Sequence, residues 1–530
     1  MRHSIGAAIC AALAVAAGCV TPALAQKQGG VLRVYHRDSP SNLSIYEEGT
    51  ISVVVPAMGL FNNLVVFDPK VPQNSLDDIV PDLAESWSWD EGKTNLTFKL
   101  RDRVKWHDGQ PFTAADVKCT WDLLQGKVKD KLRLNAREAW WLNLNEVTAD
   151  DSRTATFHLK QPQPSFMALL ASGFTPVYPC HVPASQMRQH PIGTGPFKFV
   201  EFKPNQSIKV TRNPDYWKPG RPYLDGIEYT IIPNRSTAIL AFIAGNLDMT
   251  FPYEVTIPML KDVHNQMPQA QCQVSALNVA PNLLITQKPP FDNIELRRAI
   301  AMSLDRKAFI DILGEGQGDL GTAMLPGPEG EWAMPTEMMQ QLPGYRPDVE
   351  KAREEARKIM ASLGYGPDKH LSAKISSRNL AIYRDPASIL ADQLKSIWID
   401  VELDLVETAN WLPKLVRSDF TFAQSLLGSG LDDPDQNLYE NYVCDSNRNY
   451  THTCNRDIDQ LIDRQSVETD RDKRRKLVWE IDRQLQEKVV RPILYYMRQA
   501  TCWRPEVKGI TLMSNSIYNG WRMEDVWLDR

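Results

Sequence analysis

Residues 193–249 read GTGPFKFVEFKPNQSIKVTRNPDYWKPGRPYLDGIEYTIIPNRSTAILAFIAGNLDM. Phe197 and Phe199 alternate with polar residues, Pro204-Asn205 makes a turn, and Ile208 and Val210 alternate again, so the spacing predicts a hairpin with one buried face. Asn213-Pro214 and Pro219-Gly220 punctuate a loop that carries Tyr216 and Trp217. Ile227, Tyr229 and Ile231 restart the period of two. Ser236 is then the expected N-cap of a helix whose apolar residues Ile239, Leu240, Phe242 and Ile243 stop at Gly245, a natural terminator. The unit is strand, strand, strand, helix.

Several short motifs follow one another in this stretch: GTGPF, RNPDYW, PYLD and AGNLD. Upstream lies WSWDEGKTNLTFKLRDRVKWHDGQPFTAADV at 87–117. Together these strings resemble the extracytoplasmic solute-binding proteins of ATP-binding-cassette importers, in the peptide and nickel family (family 5, dipeptide/oligopeptide-binding-like). The resemblance implies an α/β, two-lobed periplasmic-binding-protein fold, type II-like, with an extra subdomain in the first lobe. It also implies a lobe division: residues 26–277 as the first part of lobe I, 278–492 as lobe II, and 493–530 returning to lobe I. The hinge is expected near Leu277–Thr286 and again near Ile493–Arg498.

At 530 residues with 43% hydrophobic content the chain is long enough for two or three cores. Its start reads as an export signal: Arg2 and His3, an apolar run from Ile5 to Val20, and Ala23-Leu24-Ala25 before Gln26. That run is short against the ~20 apolar residues of a spanning helix. Lipid attachment at Cys19 is the competing reading, and Ala16 fits its motif poorly. Losing residues 1–25 removes one Arg and no acid, leaving 59 basic against 65 acidic residues. Such mild acidity argues against a nucleic-acid partner. Six of the eight cysteines remain. In an oxidising compartment Cys444 and Cys454, flanking the polar loop DSNRNYTHT, are the best disulfide pair; the pairing of Cys119, Cys180, Cys272 and Cys502 stays open. His452 beside Cys454 and His181 beside Cys180 lack the spacing of a zinc site. No metal and no cofactor is expected.

Elsewhere, Trp87 and Trp89 before Asp90-Glu91-Gly92, with Leu96, Phe98 and Leu100 after it, predict another hairpin. Thr113 with Asp116 is a capping-box relative. His107-Asp108 is read as a turn pair rather than catalytic machinery, because no nucleophile accompanies it. Gly316-x-Gly318-x-x-Gly321 spells a dinucleotide fingerprint but follows a helix instead of a strand, so it reads as a loop. Beyond it the sequence alternates: a helix from Asp348 to Leu363, a strand from Leu371 ending at Arg378, a helix from Ile389 to Trp398, and a strand with Val401, Leu403 and Leu405. This predicts an α/β second lobe with a largely parallel sheet. A later helix is expected to start at Thr469 and carry Lys473-Arg474-Arg475-Lys476 as a solvated face. Residues 491–496 are expected to form the return strand. Trp140 and Trp141 find no place in this scheme.

The solute contacts should come from both lobes, since closure then gains what the open form lacks. By the resemblance, Arg378 matches the arginine that pairs with a peptide carboxylate in dipeptide-binding relatives, a task suited to its planar fork; the bland reading pairs it with Asp385. The resemblance also places an acid just before the DPD turn, where this chain has the neutral Ser429, Gly430 and Leu431; Asp432 is the substitute, or else a cap for the turn. Trp411 is expected as an aromatic wall, and Gly49 and Thr50 as first-lobe contacts. The function implied is a periplasmic, monomeric receptor, not an enzyme, that captures a peptide-like or other small solute and hands it to inner-membrane permease subunits. Two other classes compete. A secreted hydrolase needs a nucleophile motif such as G-x-S-x-G, H-E-x-x-H or S-x-x-K, none of which stands in suitable context. A receptor or chaperone without a small-molecule cleft is set apart by its failure to be stabilised by any solute.

N-terminal sequencing of the exported protein is expected to read Gln26 first; a mature chain that starts at an acylated Cys19 contradicts this.

Overall fold

The computed structural model describes residues 26–428 and 430–530, so the expected signal segment and Ser429 lie outside the described residues. The 193–249 stretch folds as its period predicts. Phe197–Lys203 and Ser207–Arg212 pair antiparallel around Asn205, which takes the left-handed φ of 60° that the tight turn requires. Gly226–Ile231 joins them antiparallel, and Val31–His36 adds to its far side in parallel. The helix Arg235–Ile243 follows, but Asn234 rather than Ser236 caps it: the Asn234 side chain accepts a bond from Thr237 N at 2.9 Å. Gly245, at φ 89°, ends it.

The two glycines of GTGPF are needed for close packing. A Cβ on Gly193 would sit 1.9 Å from the Leu60 carbonyl oxygen, and one on Gly195 would sit 2.4 Å from the Leu60 carbonyl carbon. The same segment clamps His107. Gly193 N donates to Nδ1 at 3.2 Å, so Nδ1 is an acceptor and the ring proton lies on Nε2, which donates to Gly195 O at 3.1 Å. Burial, with Lys198 nearby, pushes the His107 pKa down to about 4. Its neighbour Asp108 accepts from His181 at 2.7 Å. The His-Asp pair is thus a structural joint between the two signature motifs.

Ala84–Trp89, Asn95–Leu100, Thr154–Leu159 and Leu144–Asp151 build a separate four-stranded antiparallel sheet, the additional unit of the first lobe. The helix Ala114–Leu124 packs on it, with Asp116 reaching back to Thr113 N at 2.9 Å. Trp140 and Trp141 find their place here: both are buried, and Trp141 lies edge-on to Trp121 at 5.6 Å.

The second lobe is a mixed sheet in the order Val279–Ile285, Phe422–Gly428, Leu371–Arg378, Ile399–Val406. Two of its three pairings are parallel and the Val279–Ile285 edge is antiparallel. Several boundaries differ from the sequence reading. The apolar run 296–313 is two helices, Ile294–Ser303 and Arg306–Gly314, because Asp305 caps a new start through Ala308 N. The helix after Arg378 begins at Ala381, not Ile389, and includes Pro386 in its second turn. Asp470, not Thr469, caps Arg471–Glu487. On that helix Arg474 is buried and makes two 2.9 Å bonds to Asp433, so the basic run is not a uniformly solvated face. The return strand is Tyr496–Trp503, shifted beyond 491–496.

The segments at the two expected lobe crossings run side by side. Gln271–Ala276 pairs antiparallel with Tyr496–Trp503, Leu277 N donates to Met497 O, and Leu494 N donates to Pro281 O. Cys272 and Cys502 are register partners there and form a disulfide; Cys119 joins Cys180, and Cys444 joins Cys454 as expected. The cysteines beside His181 and His452 are therefore consumed by disulfides. Among the described residues no helix is long and apolar enough to cross a membrane.

A histidine held neutral when folded, and free to protonate near pH 6.5 when unfolded, makes stability fall as pH drops from about 6.5 toward 4. Urea unfolding of wild type and His107→Gln across that window should show a weaker pH slope in the variant; equal slopes contradict the assignment.

Candidate functional site

Between the two lobes lies a small cavity of about 60 Å³ within a recess that is partly open to solvent. Gly49, Thr50, Tyr253 and Tyr518 wall it on the first-lobe side, with Arg37. Tyr383, Leu426 and Arg448 face them from the second lobe. A larger recess, walled by Phe67, Arg221 and Trp521, lies within the first lobe beside the C-terminal segment and does not join the two lobes. The mix of aromatic, aliphatic and a few charged groups suits a small organic solute.

Each charged group here is placed by the end of a regular element. Arg37 and Asp38 leave the strand Val31–His36; Arg378 ends Leu371–Arg378, with Tyr383 one turn into the next helix. Arg378 is 1% exposed, and its partner is Asp38 of the first lobe, not Asp385, which pairs with Arg384. Arg378 Nε also donates to Thr408 Oγ1 at 3.0 Å and Nη1 to the Tyr383 hydroxyl at 3.4 Å. Burial pushes the Asp38 carboxyl up, but Arg378 and Arg37 outweigh it and hold the group below its ordinary value. The guanidinium that the sequence singled out for a solute carboxylate is occupied by a carboxylate of the protein itself, across the lobe boundary.

Arg37 donates to Glu254 at 2.8 Å, and Arg235 shares the same acid at 3.1 Å. Arg448 lies 2.8 Å from Glu440, an acid that also faces the first-lobe Arg137 at 3.4 Å. Arg137 further donates to Gly49 O at 3.2 Å and stacks over Phe174. Burial, aided by Arg448, brings the Arg137 pKa down to about 10 against the pull of Glu440.

The other sequence candidates separate. Gly49, in the left-handed region at φ 57°, and Thr50 stand at the cavity, and the buried Thr50 Oγ1 has no partner among the described residues. Trp411 is buried with Leu284, Leu415 and Tyr450 and lies edge-on to Tyr383 at 6.1 Å, so it backs the cavity wall instead of forming it. Asp432 turns away: its carboxylate accepts from Glu331 N at 2.8 Å, and its carbonyl accepts from Trp332 Nε1. Burial, with Asp433 and Glu331 close by, pushes its pKa up to about 7. Asp433 and Asp435 of the DPD turn are likewise committed, the first to Arg474 and the second to Ser165 and Ser466. Arg37, Tyr383 and Arg448 were not singled out by the sequence. Arg448 lies in the DSNRNYTHT loop, whose polar composition pointed only to a disulfide.

The family model described as bacterial extracellular solute-binding proteins, family 5 Middle, matches residues 78–449. The periplasmic murein peptide-binding protein MppA of Escherichia coli is 27% identical over 461 residues, covering 79% of this chain and 80% of that protein. The di/tripeptide-binding protein 1 of Pseudomonas aeruginosa is 27% identical over 481 residues, covering 85% of each. The solved structure of the oligopeptide-binding protein AppA of Bacillus subtilis, in complex with a nonapeptide, superimposes with a TM-score of 0.83 at 22% identity, covering 95% of this chain and all of that one. These relatives are named as binding proteins, and the fold is shared along nearly the whole length.

If the Asp38–Arg378 pair holds the lobes together, a double-mutant cycle should detect it. Asp38→Ala or Arg378→Ala alone should each cost about 3–5 kcal/mol of stability by leaving a buried charge without its partner, and the double variant much less than their sum. Additive losses in denaturant unfolding would show that the two residues do not couple.

Proposed function

This chain belongs to the bacterial extracellular solute-binding proteins of family 5, and from that premise we propose that it is the periplasmic receptor of an ATP-binding-cassette importer, closing two lobes on a peptide-like or other small solute. The observation that carries the reading is the cavity itself, whose walls come from both lobes, with the Asp38–Arg378 pair bridging the same two lobes. That ion pair spans the lobe boundary, so opening the lobes returns both charges to water and closing them recovers the bond. The names of the relatives, for murein peptides and for di- and tripeptides, support a peptide-like solute.

In this account residues 26–277 with 493–530 form one lobe and 278–492 the other. The adjacent crossings near Leu277–Thr286 and Ile493–Arg498 act as the hinge. Their backbone bonds run between the two crossing segments, which lets them bend together. The protein performs no covalent chemistry. It works as a monomer, delivered to the periplasm by its leader, and docks in its closed form on the permease subunits. Affinity comes from removing most of the solute surface from water, and a micromolar ligand corresponds to roughly −8 kcal/mol.

Pools of unmodified di- and tripeptides should raise the melting temperature of the purified protein, since a solute that binds only the native state at 100-fold excess over Kd adds roughly 2.7 kcal/mol. Mass spectrometry of the recovered pool should show every peptide intact. Steady turnover of any peptide, or no shift with any pool, contradicts the proposal.

A further inference from the structure

The charges around the cavity do not balance. Arg137 and Arg491 are buried and Arg448 is half-buried, and one buried carboxylate, Glu440, pairs with Arg137 and Arg448, while no ion pair of Arg491 is found among the described residues. Arg491 is otherwise held by neutral amides, donating to Asn282 Oδ1 at 2.9 Å and to Asn441 Oδ1 at 2.7 Å. Burial lowers its pKa and Arg448 lowers it further, against the upward pulls of Tyr442, Tyr450 and Glu440. The remaining groups that face Arg448 are the hydroxyls of Tyr450, Tyr518 and Tyr383, and none of them is a carboxylate. Buried cations without enough counter-charge are costly, and a site of this kind is completed by an anion.

Of the three, Arg448 is the one at the cavity wall. Its Nε faces Glu440, and no described residue accepts a hydrogen bond from its terminal Nη pair, the two nitrogens that form the fork for a carboxylate. Arg37 is the second cation on the wall, and it shares Glu254 with Arg235. No acidic side chain lines the cavity among the described residues: Asp38 is taken by Arg378, Glu254 and Glu440 by their arginines, and Asp432 by the backbone of Glu331. A solute's ammonium group therefore meets no carboxylate there.

The geometry points to Arg448 as the anchor of a solute carboxylate, and to selection of anionic solutes that need no free α-amino group. This deepens the binding-protein reading and rests on the cavity being where the solute sits. A peptide enters with its carboxylate toward Arg448 and its chain along Tyr383 and Leu426, and blocking its amino end costs little.

The test uses the mature protein and matched dipeptide pools of identical sequences, one unmodified, one N-acetylated and one C-amidated without acidic side chains, together with a pool of small dicarboxylates. The unmodified and acetylated pools should stabilise the protein alike, the amidated pool should not, and Arg448→Gln should weaken binding roughly 30-fold or more while Arg448→Lys retains part of it. Stabilisation by the amidated pool equal to the unmodified one, or wild-type affinity in Arg448→Gln, overturns the inference while leaving a peptide receptor standing. Stabilisation by dicarboxylates alone upholds the anionic site and removes the peptide reading. Silence from all four pools overturns both. Because the modified ligands are compared on the wild-type protein, the outcome does not depend on how well a variant folds.

Discussion

A guanidinium carried out of water must find an anion, and much of the architecture around the cleft follows from how a handful of buried arginines meet that demand. Arg378 meets it with Asp38, an acid that the other lobe supplies, and so turns a local electrostatic requirement into a constraint on how far apart the lobes can stand. Arg37 meets it with Glu254 inside the first lobe, and Arg448 with Glu440 inside the second, where the first-lobe Arg137 arrives as an additional claimant. Strand ends deliver Arg37, Asp38 and Arg378 to this space, and loops beside helices bring Arg448 and Arg137.

The strength of such contacts depends on closure. In the open form the same charges are hydrated and interact weakly, whereas in the closed cleft they are desolvated and each needs its partner in place. A receptor built this way is sensitive to what enters the cavity, because an anionic solute supplies the counter-charge that the protein leaves short near Arg448, and a neutral one does not. The Asp38–Arg378 pair needs no solute at all, which separates the device that brings the lobes together from the group that recognises the cargo. In the resembling dipeptide-binding proteins one arginine at the matching place is expected to serve the ligand; here that arginine, Arg378, pairs with Asp38.

The fold was legible wherever local pattern and packing demand agree. The hairpin around Asn205, the strand ending at Arg378 and the capped helix Val349–Ser362 all stand where the period of two or the cap chemistry placed them. Boundaries slipped where two residues compete for one task, as with Asn234 and Ser236, or Thr469 and Asp470, since either type can cap and only the tertiary direction of the chain chooses. The helix was read from Ile389, but it begins at Ala381 and runs through Pro386. The site was less legible for a different reason. The partner of Arg378 lies 340 positions away, Arg474 sits in a run of charges yet is buried, and Arg448 belongs to a loop whose composition reads as solvent-exposed. Such roles are fixed by contacts between distant segments, which carry no periodic signal. Gly49 and Thr50, by contrast, were placed by their loop and stand at the cavity.

The central claim is that the cleft divides its work between a protein–protein ion pair that closes it and an arginine that reads the cargo. A crystal structure of the protein purified from its native periplasm with the solute it retains tests this most directly. The account predicts a carboxylate of that solute in the fork of Arg448, with the Asp38–Arg378 pair intact beside it. A solute carboxylate bound to Arg378, with Asp38 displaced and Arg448 facing only Glu440, would contradict it.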